Sequence, residues 1–383
     1  MSAGFLAILL VAGISSPAAA LPRPRDELYW FDWWEIEKKV WPITKGKGVT
    51  VAVLDNGVNP NLPDLRGAIL KGVNPSEPDV GLSKVGKDRK NGGHGTAMAA
   101  LIVARGGGTG MMGVAPEAKV LPVVGHRGGS WALAIDIRYA ADRGAQVISM
   151  SIGSATFMEC PMELQAAVAY AVKKDVVLVA SAGNEGRFED WRNWPANCAG
   201  VMTVGGLDGY VKPWPKTTPG NYMAVAAPAA HVGTINWNGR FRLGDGGTSP
   251  SAALTAGVVA LVRSKYPEMP AEQVVQRVLA TTKDVGPPGW DDVTGHGLVR
   301  PYRALVDKVP STAPNPVYDR LRTWQKSRER PAAAKSVMPS RATKKQSATR
   351  SRGQTSAWVI GAVVFSALCL LLGGWRIARN HFK

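Results

Sequence analysis

Cysteine is scarce, with three residues in a chain of 383. Positions 160, 198 and 369 have no ligand-like spacing, which counts against a zinc centre, and no histidine motif accompanies them as a thiol nucleophile requires. Acidic residues also run short, 29 against 46 Lys and Arg, for a formal charge of +17. On a folded surface that excess would suggest nucleic acid. Its location removes the suggestion. Residues 308–355 hold twelve basic side chains against Asp319 and Glu329, a net of +10, and residues 375–383 add +3, so about +4 is left for the rest. No nucleic-acid partner, metal or cofactor is expected. Asp64 and Asp79 lie in turn-rich stretches and read as turn residues, and His126, His231 and His296 as structural or surface ones.

What is present is apolar bulk, 45% of the chain, enough for one α/β domain of about 260 residues with additions at both ends. Three stretches in it carry chemistry. Val51-Ala52-Val53-Leu54-Asp55-Asn56-Gly57 is a β-branched run that ends in a carboxylate and a turn, as a buried parallel strand would. Its Asp55 falls at the carboxyl end, where open α/β sheets place their chemistry. Asn91-Gly92-Gly93-His94-Gly95-Thr96 brings glycines to both sides of a histidine ahead of an apolar helix, leaving the ring open to approach. Gly247-Thr248-Ser249-Pro250-Ser251-Ala252 sets a serine at the start of a helix lined with small residues. The first N–H groups of such a helix lack partners, and its dipole favours negative charge there.

In order and content these blocks resemble the aspartate, histidine and serine motifs of the subtilisin-like serine proteases. A fourth, Val179-Ala180-Ser181-Ala182-Gly183-Asn184-Glu185-Gly186, resembles the strand and turn that carry that family's oxyanion asparagine. The resemblance spans about residues 49–305 and implies a three-layer α/β fold with a mostly parallel central sheet. It implies Asp55, His94 and Ser249 as the catalytic set and Asn184 as oxyanion donor. Substrate would lie between two walls, Ser149, Ser151, Ile152 and Gly153 on one side and Ala182 and Gly183 on the other, with Glu185 at the rim of the first pocket. Three departures stand out. Asn56 replaces the usual threonine, Pro250-Ser251 is atypical after the serine, and Ala253 takes the place of a common proline. None of these removes a catalytic group.

The ends imply a location. Residues 5–14 are apolar and lead to Pro17 and Ala18-Ala19-Ala20, so residues 1–20 read as a secretory signal, although no Lys or Arg precedes the run. An aromatic strap is expected over 21–48, too short for a folded pro-domain, then the peptidase domain over 49–307 and a basic, extended tether over 308–356. Residues 357–374 carry no charge and, at ~1.5 Å per residue, reach ~27 Å, enough to span a bilayer. With Trp358 and Trp375 beside its ends, 357–375 reads as a transmembrane helix and 376–383 as a cytoplasmic tail. This layout resembles the mycosins, membrane-anchored subtilisin-like proteases that accompany type VII secretion systems. Mycosin-like chains carry a cysteine pair placed like Cys160 and Cys198, and export permits that disulfide. The function implied is cleavage of exported proteins at the cell membrane by a single-pass protease. The alternative is a scaffold in a secretion membrane complex whose triad is idle or secondary.

Overall fold

Alternation along the first core strand decides which side of the sheet each residue serves. Val51 and Val53 pack into one apolar cluster, Ala52 and Leu54 into another, so both faces of the strand are covered. The computed structural model describes residues 21–75, 92–124, 129–187, 191–244 and 246–329. In these, α1 (Trp30–Trp33) and a π-helical turn at Ile36–Val40 precede β1 (Thr50–Leu54), α2 (His94–Val103), β2 (Lys119–Val123), α3 (Gly129–Asp142) and β3 (Val147–Met150). Next come β4 (Ser154–Thr156), α4 (Met162–Lys173), β5 (Val177–Ser181), β6 (Arg192–Trp194), β7 (Val201–Leu207) and β8 (Met223–Pro228). The remainder is β9 (Gly233–Ile235), β10 (Phe241–Leu243), α5 (Thr248–Lys265), α6 (Ala271–Ala280), α7 (Pro301–Val306) and α8 (Pro316–Glu329).

The six-stranded sheet runs β2-β1-β3-β5-β7-β8, and every neighbouring pair is parallel. Parallel strands need crossovers, and the helices supply them on both faces. α2, α5 and α6 pack on the side of Val51, Val147 and Val179; α3 and α4 pack on the side of Leu54, Ile148 and Leu178. The result is the three-layer α/β fold expected from the sequence. α5 is buried along almost its whole length, because Ala252, Ala253, Ala256, Gly257 and Ala260 let it lie close to the sheet. Gly257 is one contact that only glycine permits: a Cβ there would lie 2.9 Å from that of Val114.

Residues 28–41 lie across this body. Trp30, Phe31, Trp34, Ile36 and Val40 are buried, and the Trp41 indole N–H donates to the Val114 carbonyl at 3.0 Å. At the other end the structure corrects the expected tether. Instead of extended chain from about 310, residues 316–329 form α8, which buries Val317, Tyr318 and Leu321. Leu321 lies against Gly200, and Asn315 acts as N-cap, its Oδ1 accepting from the Tyr318 N–H at 3.4 Å. Cys160 and Cys198 form a disulfide, with Cα atoms 5.0 Å apart. The apolar runs at 5–14 and 357–374, together with Cys369, Asp79 and His126, lie outside the described residues. Among the described residues no helix is long and apolar enough to cross a membrane.

Candidate active site

The cleft forms where β1, β3 and β5 end side by side. Register pairs Val53 with Ser149 and Ser149 with Val179, so two residues further on Asp55, Ser151 and Ser181 stand at one level. Asp55 is 1% exposed and accepts the Asn56 N–H at 2.7 Å. Its two oxygens lie 3.0 and 2.8 Å from Nδ1 of His94, the first residue of α2. A carboxylate can only accept, so the Nδ1 proton points to Asp55, and in the neutral ring Nε2 is the nitrogen that carries no proton. The imidazole keeps 35% of its surface exposed, so the cleft can reach it. The contact depends on the neighbouring glycine: a Cβ at Gly95 would sit 2.2 Å from the Gly57 carbonyl oxygen.

Ser249 is the second residue of α5, half-buried, so its N–H belongs to the group without intrahelical partners. Its hydroxyl donates to the Ser151 carbonyl at 3.2 Å, and the Ser151 hydroxyl donates back to the Ser249 carbonyl at 2.8 Å. This reciprocal pair pins the helix start to the end of β3. Asn184 is tied to the same place from the other wall. Its Oδ1 accepts the Thr248 N–H at 2.9 Å, which leaves both amide hydrogens of Nδ2 for another acceptor. The structure therefore brings Asp55 to His94, and Asn184 and Ser151 to the Thr248-Ser249 turn.

The expected walls differ in exposure. Gly153 is open, Ile152 and Gly183 are half-buried, and Ser151 and Ala182 are buried. Ser149 is wholly buried inside β3, and its hydroxyl has no hydrogen-bond partner among the described residues, so it lies beneath the cleft. Glu185 does not stand free at a rim. Its Oε2 accepts from the Asn184 N–H at 2.9 Å, Asn193 Nδ2 at 2.8 Å and the Thr218 hydroxyl at 2.7 Å. Asn193 and Thr218, both buried, lie behind Gly183, where a Cβ would collide with Asn193 Nδ2 at 2.0 Å and Thr218 Oγ1 at 2.7 Å. Neither residue carries a local sequence signal, since each reaches the site from a remote loop or strand. Asp64, read as a turn residue, accepts the Gly108 and Thr109 N–H groups at 3.2 and 3.0 Å. Among the described residues no cluster of His, Cys, Asp and Glu is arranged to hold a metal ion.

Comparison with known proteins identifies the family. The model of the subtilase family (Peptidase S8) matches residues 46–297. Fervidolysin of Fervidobacterium pennivorans is 31% identical over 320 residues, covering 75% of this chain but 44% of that protein, so this chain spans less than half of it. Mycosin-3 of Mycobacterium tuberculosis is 30% identical over 334 residues, 71% of this chain and 70% of that protein. The solved structure of the MycP3 protease from the type VII (ESX-3) secretion system superposes with a TM-score of 0.64 at 28% identity, covering 76% of this chain and 90% of that one. The chain belongs to the subtilase family of serine proteases, and within it is similar to the mycosins.

Proposed function

We propose that this protein is a membrane-anchored, extracytoplasmic serine endopeptidase that hydrolyses peptide bonds of exported proteins beside a type VII secretion apparatus. The carrying observation is the Asp55–His94 contact at 2.8 Å, beside a helix start that holds Ser249 against Ser151. A serine hydroxyl is a weak nucleophile at neutral pH and needs a base. His94 Nε2 takes the Ser249 proton as Oγ attacks the scissile carbonyl, then returns it to the leaving amine. Asp55 fixes the tautomer that presents Nε2 and stabilises the imidazolium. The Ser249 N–H and Asn184 Nδ2 meet the oxyanion as it develops, one from an unpaired helix terminus and one from an amide fixed by Thr248. Water then repeats the sequence on the acyl-enzyme.

Anchoring rests on the charge-free run at 357–374, and the secretion setting on similarity to the mycosins and to MycP3. The scaffold reading has one observation in its favour: Trp131, Phe157 and Met158 are 69%, 65% and 71% exposed, large apolar side chains of the kind a protein partner covers. A fluorophosphonate probe tests the enzyme directly. Wild type labels and Ser249→Ala does not; an unlabelled wild type refutes hydrolysis by this triad. Secretion retained in Ser249→Ala, with peptide cleavage lost, assigns the dominant role to the scaffold.

A further inference from the structure

Away from the cleft, α8, residues 221–223 and the loop at 290–296 line a half-open cavity of about 350 Å³, at the lower end of the ~300–1,000 Å³ typical of ligand sites. Most of its wall is apolar: Tyr222, Met223, Val317 and the Trp290 indole, which is 45% exposed. The Trp290 N–H donates to the Met223 carbonyl at 2.9 Å, so that ring is held in place without a ligand.

Three polar side chains interrupt the wall, Asn221, Arg320 and His296, and of these only Arg320 carries a fixed charge. Arg320 gives one N–H to the Asn197 carbonyl at 2.8 Å and lies over the Tyr222 ring at 5.7 Å. Among the described residues no carboxylate pairs with it. The acidic groups nearby in sequence or across the cavity rim are committed elsewhere, Asp319 and Glu272 to Arg322 and Asp292 to Arg187. Burial pulls the Arg320 pKa below the usual arginine value, as expected of a cation that has lost water without gaining an anion. His296 adds a buried Nε2 with no hydrogen-bond partner among the described residues, and burial lowers its pKa, which favours the neutral ring.

We propose that this cavity is a binding site for a carboxylate carried on an apolar, ring-sized body, with the carboxylate on Arg320 and the apolar part between Trp290, Met223 and Val317. A partly dehydrated, unpaired guanidinium is costly, and an anion that reaches it recovers hydrogen bonds that water supplies poorly there. A neutral ligand of the same shape gains only the apolar contact. The carboxylate can belong to a free small acid or to the last residue of a peptide with an apolar C-terminus. The chemistry is the same for both.

The test uses the full chain in nanodiscs, with empty nanodiscs subtracted, and ligand-detected NMR titrations of 3-phenylpropionate and 3-phenylpropan-1-ol. The acid is expected to bind at least about tenfold more tightly than the alcohol, the usual scale of a charge-assisted hydrogen bond. Arg320→Met should bring the two within about twofold, and Val317→Trp, which fills the cavity, should abolish both. An N-acetyl dipeptide ending in phenylalanine, compared with its amide, separates the peptide source from the small acid. Equal affinity for acid and alcohol in the unaltered chain overturns the proposal, even where Arg320→Met does not fold. An acid preference that persists in Arg320→Met or Val317→Trp overturns it as well.

Discussion

Asp136, on α3, is 0% exposed, and neither carboxyl oxygen has a hydrogen-bond partner among the described residues. Burial pushes its pKa from an ordinary 3.8 up to about 7. The sign follows from proton binding. Below pH ~4 the carboxyl is neutral in both folded and unfolded chains, and burial costs the least. Between pH ~4 and ~7 the unfolded chain releases a proton that the folded chain keeps, so stability falls as pH rises; above ~7 both release it and the loss levels off. At ~1.36 kcal/mol per pH unit the full loss is about 4 kcal/mol, a ceiling because local relaxation and water entry reduce it. Asp136→Asn removes the titration at nearly constant volume. In a Ser249→Ala background, which prevents self-digestion, urea unfolding at fixed ionic strength gives the stability difference between the Asn and Asp forms at each pH. Other titrating groups cancel in that difference. It should climb by up to about 4 kcal/mol in favour of Asn between pH 4 and 7 and then stay level. A difference that does not change with pH would refute the argument, because it would mean that Asp136 ionises in the folded state as easily as in the unfolded one.

Asn184→Ala should lower kcat by about 10²–10³ with KM little changed, the pattern for loss of a donor used only in the transition state; peptide-ester kinetics reads both constants. Replacing Cys160 and Cys198 by serine should lower stability by about 4 kcal/mol for a separation of 38 residues, measured by urea unfolding against the oxidised parent. Gly183→Ala should cost more than about 2 kcal/mol and abolish probe labelling, since φ there is +112° and the new methyl would meet Asn193 and Glu185. Glu185→Gln should weaken any preference for a basic residue before the scissile bond, and an unaltered cleavage profile on a peptide library would show that the carboxylate is only a strut for Asn184, Asn193 and Thr218.

The motifs proposed as catalytic were legible because the chemistry imposes local demands. A carboxylate must end a buried strand, a histidine needs glycine on both sides, and a serine must open a helix. The unbroken apolar run of β1 also read as a buried parallel strand, and the two apolar clusters cover it on both faces. α8 was not legible, because its buried stripe is only Val317, Tyr318 and Leu321 among Asp319, Arg320, Arg322, Lys326, Arg328 and Glu329. A helix that contributes three residues to a core keeps the composition of a solvated tether. Its start did leave a signal in Asn315-Pro316, a capping side chain followed by a residue suited to the first helical turn. Asn193 and Thr218 left none, since their role arises only when separate segments meet behind Gly183.

Register explains why residues so distant along the chain meet on the correct side. Val51 and Val53 face the layer that contains α2 and α5, so a residue of the same parity at the strand end faces that layer too. Asp55 has that parity, and His94 opens α2 while Ser249 lies in the first turn of α5. Ser151 has the parity of Val147 on the adjacent strand, which brings it beneath Ser249. A slip of one residue in β1 would turn the carboxylate toward α3 and place Leu54 beneath the imidazole. The apolar pattern that sets which face of β1 is buried on which layer thereby also sets which residue can orient His94. Stability and chemistry select the same register, and a one-residue insertion within 50–54 should abolish probe labelling even where the protein still folds.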